Sequence, residues 1–252
     1  MGQALDRRQR RRQATIEEIK STARQQIAEN GAASLSLGAI ARAMGMTPPA
    51  LYRYFKNRNA LVAALVVDAY DSMGEALEIS VMDLAQDDYA GRFLALMHAY
   101  REWAVEHPEA YVLMYGASSD DVAMSGEQGQ QFQRAVMRSM GAMVKVLRAA
   151  YDASCLVIPP QYDEPPPSVR QALGWMQSVL QDGAIPLGIL ALAFTTWLRA
   201  DGLVWQELHG HLPKALFGAG DFYEMESRVL AERLGLASGG VEHKLTRSKG
   251  RS

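Results

Sequence analysis

Residues 34–61 run Ser34-Leu-Ser-Leu-Gly-Ala-Ile-Ala-Arg-Ala-Met-Gly-Met-Thr-Pro-Pro-Ala-Leu-Tyr-Arg-Tyr-Phe-Lys-Asn-Arg-Asn-Ala-Leu61 and read as two short helices, a glycine turn between them and the start of a third. Ser36 is placed to cap a helix whose apolar positions Leu37, Ile40, Ala41 and Met44 fall at helical spacing, and Gly45 supplies the stop where a left-handed backbone is needed. Thr47 is placed to cap the next helix, and Pro48 and Pro49 are tolerated in its first turn because the amides they lack have no intrahelical partner there. About two turns of helix cannot stand alone, so Leu51 and Phe55 must hold it to its neighbours. The opposite face, with Tyr52, Arg53 and Tyr54 and then Lys56 and Arg58, stays free to enter a groove. Arg bonds a guanine edge through two donors, whereas Lys, Tyr and Thr fix phosphates and set register, so the pattern implies major-groove reading.

The segment resembles the DNA-binding domain of the tetracycline-repressor (TetR) family over about residues 15 to 65. The likeness is carried by Thr47-Pro48-Pro49-Ala50-Leu51-Tyr52-Arg53-Tyr54-Phe55-Lys56-Asn57-Arg58, preceded by Leu35-Ser36-Leu37 and Ile40-Ala41. By position, the resemblance implies that Pro48, Pro49, Tyr52 and Arg53 face bases, and that Ser36, Thr47, Tyr54 and Lys56 sit on the phosphate backbone. It also implies a homodimeric, ligand-released repressor of bacterial transcription.

Composition fits this reading. The chain has 252 residues, 48% of them hydrophobic, and its formal charge of −2 hides an asymmetry. Residues 1–60 hold eleven Lys and Arg against four Asp and Glu, a surplus of +7, and the remainder carries −9. A basic head is drawn to a polyanion while an acidic body is held off it. The single cysteine, Cys155, beside Leu156, Val157 and Ile158, excludes an intramolecular disulfide, suits the cytoplasm and reads as a small buried hydrophobe. Arg7-Arg8-Gln9-Arg10-Arg11-Arg12 leads into Thr15-Ile16-Glu17-Glu18 rather than an apolar run, against an export signal. The basic run reads either as a disordered solubilising tail or as an arm following DNA. A first amphipathic helix then carries Ile16, Ile19, Ala23 and Ile27.

Beyond Asn59 the chain has helical periodicity throughout. Leu61, Leu65 and Ala69 lead to Met73, Leu77 and Val81; Phe93, Leu96, Met97, Tyr100 and Trp103 form a second stripe; Phe132, Val136, Met140, Met143, Val144 and Leu147 form a third. The fold class is all-α: an N-terminal three-helix helix-turn-helix domain followed by a larger helical ligand-binding and dimerisation domain. The expected organisation is a disordered basic arm over 1–13, a DNA-binding domain over 14–62, the helical body over 63–236 and a disordered tail over 237–252. Met97, Tyr100, Trp103, Tyr111, Met114, Tyr115, Met140 and Met143 form an adaptable apolar wall with scattered hydroxyls, either core or the lining of a pocket for a small amphipathic ligand. The prolines at 159, 160 and 165–167 mark a connecting loop that no helix crosses and where poor order is expected. After it, Ile185 to Leu208 is densely apolar, but Arg199, Asp201 and Glu207 interrupt it below the length of a membrane span. Burial against a second copy of the chain is the economical reading.

A second likeness covers the body. Tyr100-Arg101-Glu102-Trp103-Ala104, His107-Pro108 and Tyr111, then Trp197, Gly202, Glu207 and Gly210-His211, resemble a TetR-family C-terminal domain with a Trp-His-Gly signature, although Asp201 stands where histidine is usual. The likeness implies a four-helix dimer interface from this apolar helix and the last one, with Trp197, Val204, Trp205, Leu208, Tyr223 and Leu230 as its candidates. No phosphate loop, nucleophile elbow, Cys-His cluster or metalloprotease motif is present, so neither enzymatic activity nor a cofactor or metal is expected. The expected partners are a double-stranded DNA operator, a second copy and a small-molecule ligand, in the bacterial cytoplasm. A ligand-independent architectural DNA-binding protein and an activator of the same fold remain alternatives.

Overall fold

The computed structural model describes residues 7–116, 126–180, 182–210 and 220–236, and all the regular structure among them is helical. The helices are α1 (Arg7–Asn30), α2 (Leu37–Ala43), α3 (Pro48–Tyr52), α4 (Arg58–Ser80), α5 (Tyr89–Glu106), α6 (Pro108–Gly116), α7 (Gly126–Asp152), α8 (Pro160–Asp163), α9 (Pro167–Val179), α10 (Leu187–His209) and α11 (Asp221–Arg233). The chain divides into two compact units, one of Met1–Tyr70 with His107–Ala135 and one of Asp71–Glu106 with Val136–Ser252. The divisions fall inside α4, between α5 and α6, and inside α7.

In the first unit, Ile19, Ala23 and Ile27 of α1 are buried, as are Leu37, Ile40 and Ala41 of α2 and Leu51 of α3. Two cations on successive turns of α1 meet one carboxylate of α4, with Lys20 Nζ at 2.8 Å and Arg24 Nη1 at 3.1 Å from Asp68. Arg58 reaches back to donate to the Ala32 carbonyl at 2.9 Å. α6 packs on α1, and Phe132 of α7 meets Tyr70 edge-on at 5.6 Å. Helix α6 and the first turns of α7 therefore join the head, although the sequence reading placed residues 63–236 together in the body. Periodicity shows which face of a helix is apolar, and long-range packing decides which partner covers it.

In the second unit, α10 packs against α5, α8 and α9, and α11 against α5 and α10. By length and composition α10 is apolar enough to cross a membrane. Here Gly188 to Ala193 are buried, as are Thr196, Ala200 and Val204 farther along. Side-chain polar links join α5 to these helices. Tyr100 donates to Asp201, His98 pairs with Glu224, and Arg101 forms a two-bond fork with Glu207, its Nε lying 2.8 Å from Oε2. The Glu207 bonds hold the Arg101 guanidinium above its ordinary pKa. Asp201 thus has a defined role despite replacing the usual histidine: it accepts the hydroxyl proton of a nearly buried tyrosine.

Three expectations about local order need correction. The arm expected to be disordered over 1–13 is helical from Arg7, because arginine and glutamine are good helix formers and extending an established helix needs no new nucleus. The proline-rich connector contains the short α8, and α9 begins with Pro167 at its first position, where proline is favoured. Cys155 is half-buried rather than core, between Ser154 in the left-handed region and the buried Leu156. The segment 237–252 and the loop around Ala117 to Asp121 lie outside the described residues.

Candidate nucleic-acid interface and effector cavity

The helix-turn-helix assembles from local rules. Ser36 has extended backbone and its Oγ accepts from Ala39 N at 3.4 Å, while its own amide donates to Gln26 Oε1 of α1 at 3.1 Å. Gly45 closes α2 with φ of 64°, a conformation costly for any residue with a Cβ. Pro48 and Pro49 fill the first two positions of α3. Asn57 Oδ1 then accepts from Ala60 N at 2.8 Å and so caps α4, a role signalled in the sequence only by an asparagine immediately before the helix.

Leu51 and Phe55 are buried, so the remaining face of α3 must point outward. Pro48, Pro49, Tyr52 and Arg53, the residues expected at bases, are all exposed, as are Ser36, Thr47 and Lys56 from the phosphate set. Tyr54 is half-covered because the Arg12 guanidinium lies over its ring, 5.1 Å from the centroid. Helix α3 is shorter than the expected two turns, and Arg53 follows it as the C-cap with helical backbone angles.

The expected pocket residues separate between the units. Tyr111, Met114 and Tyr115 belong to α6 in the first, where the Tyr111 and Tyr115 rings lie 4.8 Å apart. Met97, Tyr100, Trp103, Met140 and Met143 belong to the second. There Met97, Tyr100 and Met143 line a small cavity of about 20 Å³ together with Leu77, Leu96, Ser139, Thr196, Trp197 and Ala200. Trp103 and Met140 are buried but do not line it; the Trp103 indole N–H donates to Ser72 Oγ at 3.1 Å. Such a cavity has room for little more than one water molecule. Its lining residues come from α4, α5, α7 and α10, and no local signal in the sequence marks that convergence.

The expected dimer residues divide similarly. Val204, Tyr223 and Leu230 are buried within their own unit, with the Tyr223 hydroxyl donating to the Met97 carbonyl at 2.9 Å. Trp197 lies tilted against Tyr100 at 4.9 Å, and Trp205 stacks on His209 at 3.7 Å, so only part of each ring is open; Leu208 is half-buried. The exposed apolar side chains on the same two helices are instead Phe194, Leu198 and Met225.

Comparison with known proteins agrees with this architecture. Residues 19–65 match the bacterial regulatory proteins of the tetR family, and residues 93–230 match a tetracyclin repressor-like C-terminal domain. The chain belongs to the TetR family of transcriptional regulators. It is 38% identical over 99 residues to the HTH-type transcriptional regulator Mb1846 of Mycobacterium bovis, an alignment covering 39% of this chain and 42% of that protein. The chain thus spans about two fifths of the length of the curated relatives it matches. Among solved structures, SCO4313 is 30% identical, with 90% of this chain and 100% of that one covered and a TM-score of 0.66. A SmeT–triclosan complex is alike in fold alone, at 19% identity, 90% and 96% coverage and a TM-score of 0.52.

Proposed function

We propose that this chain is a homodimeric transcriptional repressor that binds a palindromic operator and is released by a small, largely apolar ligand in the bacterial cytoplasm. The observation that carries the DNA reading is the division of one short segment: Leu51 and Phe55 are buried while Tyr52 and Arg53 are exposed beside Pro48 and Pro49. Anchored side chains fix the angle of α3, and the exposed ones read the groove.

The cavity supports the ligand reading. It joins four helices of the second unit, its wall is apolar, and Tyr100 on that wall is tied to Asp201. Pockets for small ligands run from about 300 Å³ upward, so an occupant must push these helices apart. That cost supplies the differential affinity for two conformations that release requires; a ligand binding both equally shifts nothing. The SmeT structure, alike in fold, is a complex with triclosan, which supports a small-molecule occupant.

The test is selection of binding sites from a random duplex pool at near-physiological salt, with a Y52A/R53A variant alongside. The expected result is one enriched palindrome, lost in the variant. Salt-sensitive binding without enrichment, equal in both proteins, would replace this reading with a ligand-independent architectural DNA-binding protein.

A further inference from the structure

The arginines ahead of the helix-turn-helix are held on a helix, and their placement is informative. Arg7, Arg8, Arg11 and Arg12 share an arc of about 140° with Thr15, at 3.6 residues per turn, whereas Arg10 points elsewhere. Together with Arg53 and Tyr54 from the end of the recognition segment, this arc lines an open cleft of about 660 Å³. Five guanidinium groups therefore face one space whose lining includes no carboxylate. Arg12 is steadied over the Tyr54 ring, a contact that fixes the cation without neutralising it.

We propose that this cleft is a second DNA contact, a clamp for the sugar-phosphate backbone just outside the bases read by α3. The inference rests on the DNA-binding reading above and adds to it the partner of a particular surface. Mutual repulsion among five like charges is relieved by a polyanion, and the cleft is continuous with the recognition segment through Arg53 and Tyr54. A helical clamp differs from a flexible arm in the minor groove: its arginines are fixed to one side, so they grip phosphates without reading sequence.

The experiment measures duplex affinity against salt for the full chain, for R7Q/R8Q/R11Q/R12Q and for R10Q. Glutamine keeps helix propensity, and circular dichroism and thermal unfolding of each variant report folding directly. Each phosphate neutralised on B-DNA contributes about 0.9 to the slope of log affinity against log salt, so the quadruple variant is expected to lose up to about 3.6 from that slope per head. The loss should be equal on selected and random duplexes, the selected sequence should be unchanged, and R10Q should keep the original slope. An unchanged slope in the folded quadruple variant overturns the clamp while leaving the α3 reading intact. A changed base preference beside the half-site overturns it in favour of a minor-groove arm. Absence of duplex binding by the unmodified chain overturns both.

Discussion

Thr47 and Ser36 each precede a helix of the DNA-binding unit with extended backbone, yet only Ser36 caps with its side chain. The reason lies in the neighbours. A capping oxygen accepts from the second or third helical amide; here the second position is Pro49, which has none, and the third, Ala50 N, donates to the Thr47 carbonyl at 2.9 Å. The Thr47 hydroxyl is therefore exposed and uncommitted to the cap, as suits a phosphate contact. Thr47→Val is expected to leave urea unfolding within about 0.5 kcal/mol of the original and to weaken binding of every duplex alike. Ser36→Ala should do the reverse in part, costing about 0.5–1 kcal/mol of stability because its 3.4 Å bond is long for a cap. A destabilised Thr47→Val protein with unaltered DNA binding would show that Thr47 is structural. Both residues were visible in the sequence as capping types. What was not visible is that two consecutive prolines deprive one of them of the amide it needs.

At the scale of elements, α4 and α7 approach closely at Gly74, where a Cβ would lie 3.1 Å from Arg138 Cγ. That space lets Arg138 extend along α4 to reach Glu78, with Nε at 3.0 Å and Nη2 at 2.6 Å from the same carboxylate oxygen. The guanidinium hydrogen bonds hold Glu78 below the usual carboxylate range against the opposing effect of burial, and Arg138 is raised in return. Because the folded pKa lies below the unfolded one, the contribution to stability is complete above the ordinary carboxylate value and disappears as pH falls through the lowered value. Glu78 is 42% exposed, so solvent screening keeps this contribution within about 1 kcal/mol. Unfolding of Glu78→Gln against the original chain should differ by that amount at pH 7 and converge once the pH has fallen below the lowered Glu78 value; a constant difference across that range would assign the effect to packing. Elements of this kind show where sequence reading stops. The α2–turn–α3 unit was legible because Ser36, Gly45 and the proline pair act within a few residues. The α4–α7 approach was not, since it depends on one glycine opposite one arginine 64 positions away. The arginine face of α1 had a local signal in the spacing of Arg7, Arg8, Arg11 and Arg12, but reading it required knowing that the helix starts at Arg7 rather than near Thr15.

For the whole molecule, the proposed operator sets the demand on assembly. One head presents a recognition segment of about five residues, and a palindrome repeats its half-site after roughly 34–36 Å, so affinity at both half-sites requires two heads held at a fixed spacing. The body would supply that link, and we propose that it does so through exposed apolar side chains on α10 and α11. Phe194 and Leu198 lie one turn apart on α10 and are 42% and 52% exposed, and Met225 on α11 is 48% exposed. Val204, Tyr223 and Leu230, which the family likeness placed at the interface, are buried and support the same helices from within. Burying Leu198 on both copies against charge is unfavourable, whereas in the separate chain a charge at this exposed position costs little. Leu198→Glu is therefore expected to convert the dimer into a monomer by sedimentation velocity, to leave the circular dichroism of the chain unchanged, and to reduce affinity for the palindrome far more than for an isolated half-site. Tyr223→Ala should instead destabilise the chain itself, by about 3–5 kcal/mol as for other buried aromatics. If Leu198→Glu remains dimeric with full palindrome affinity, the subunits meet through another surface and the heads are spaced by a different part of the body.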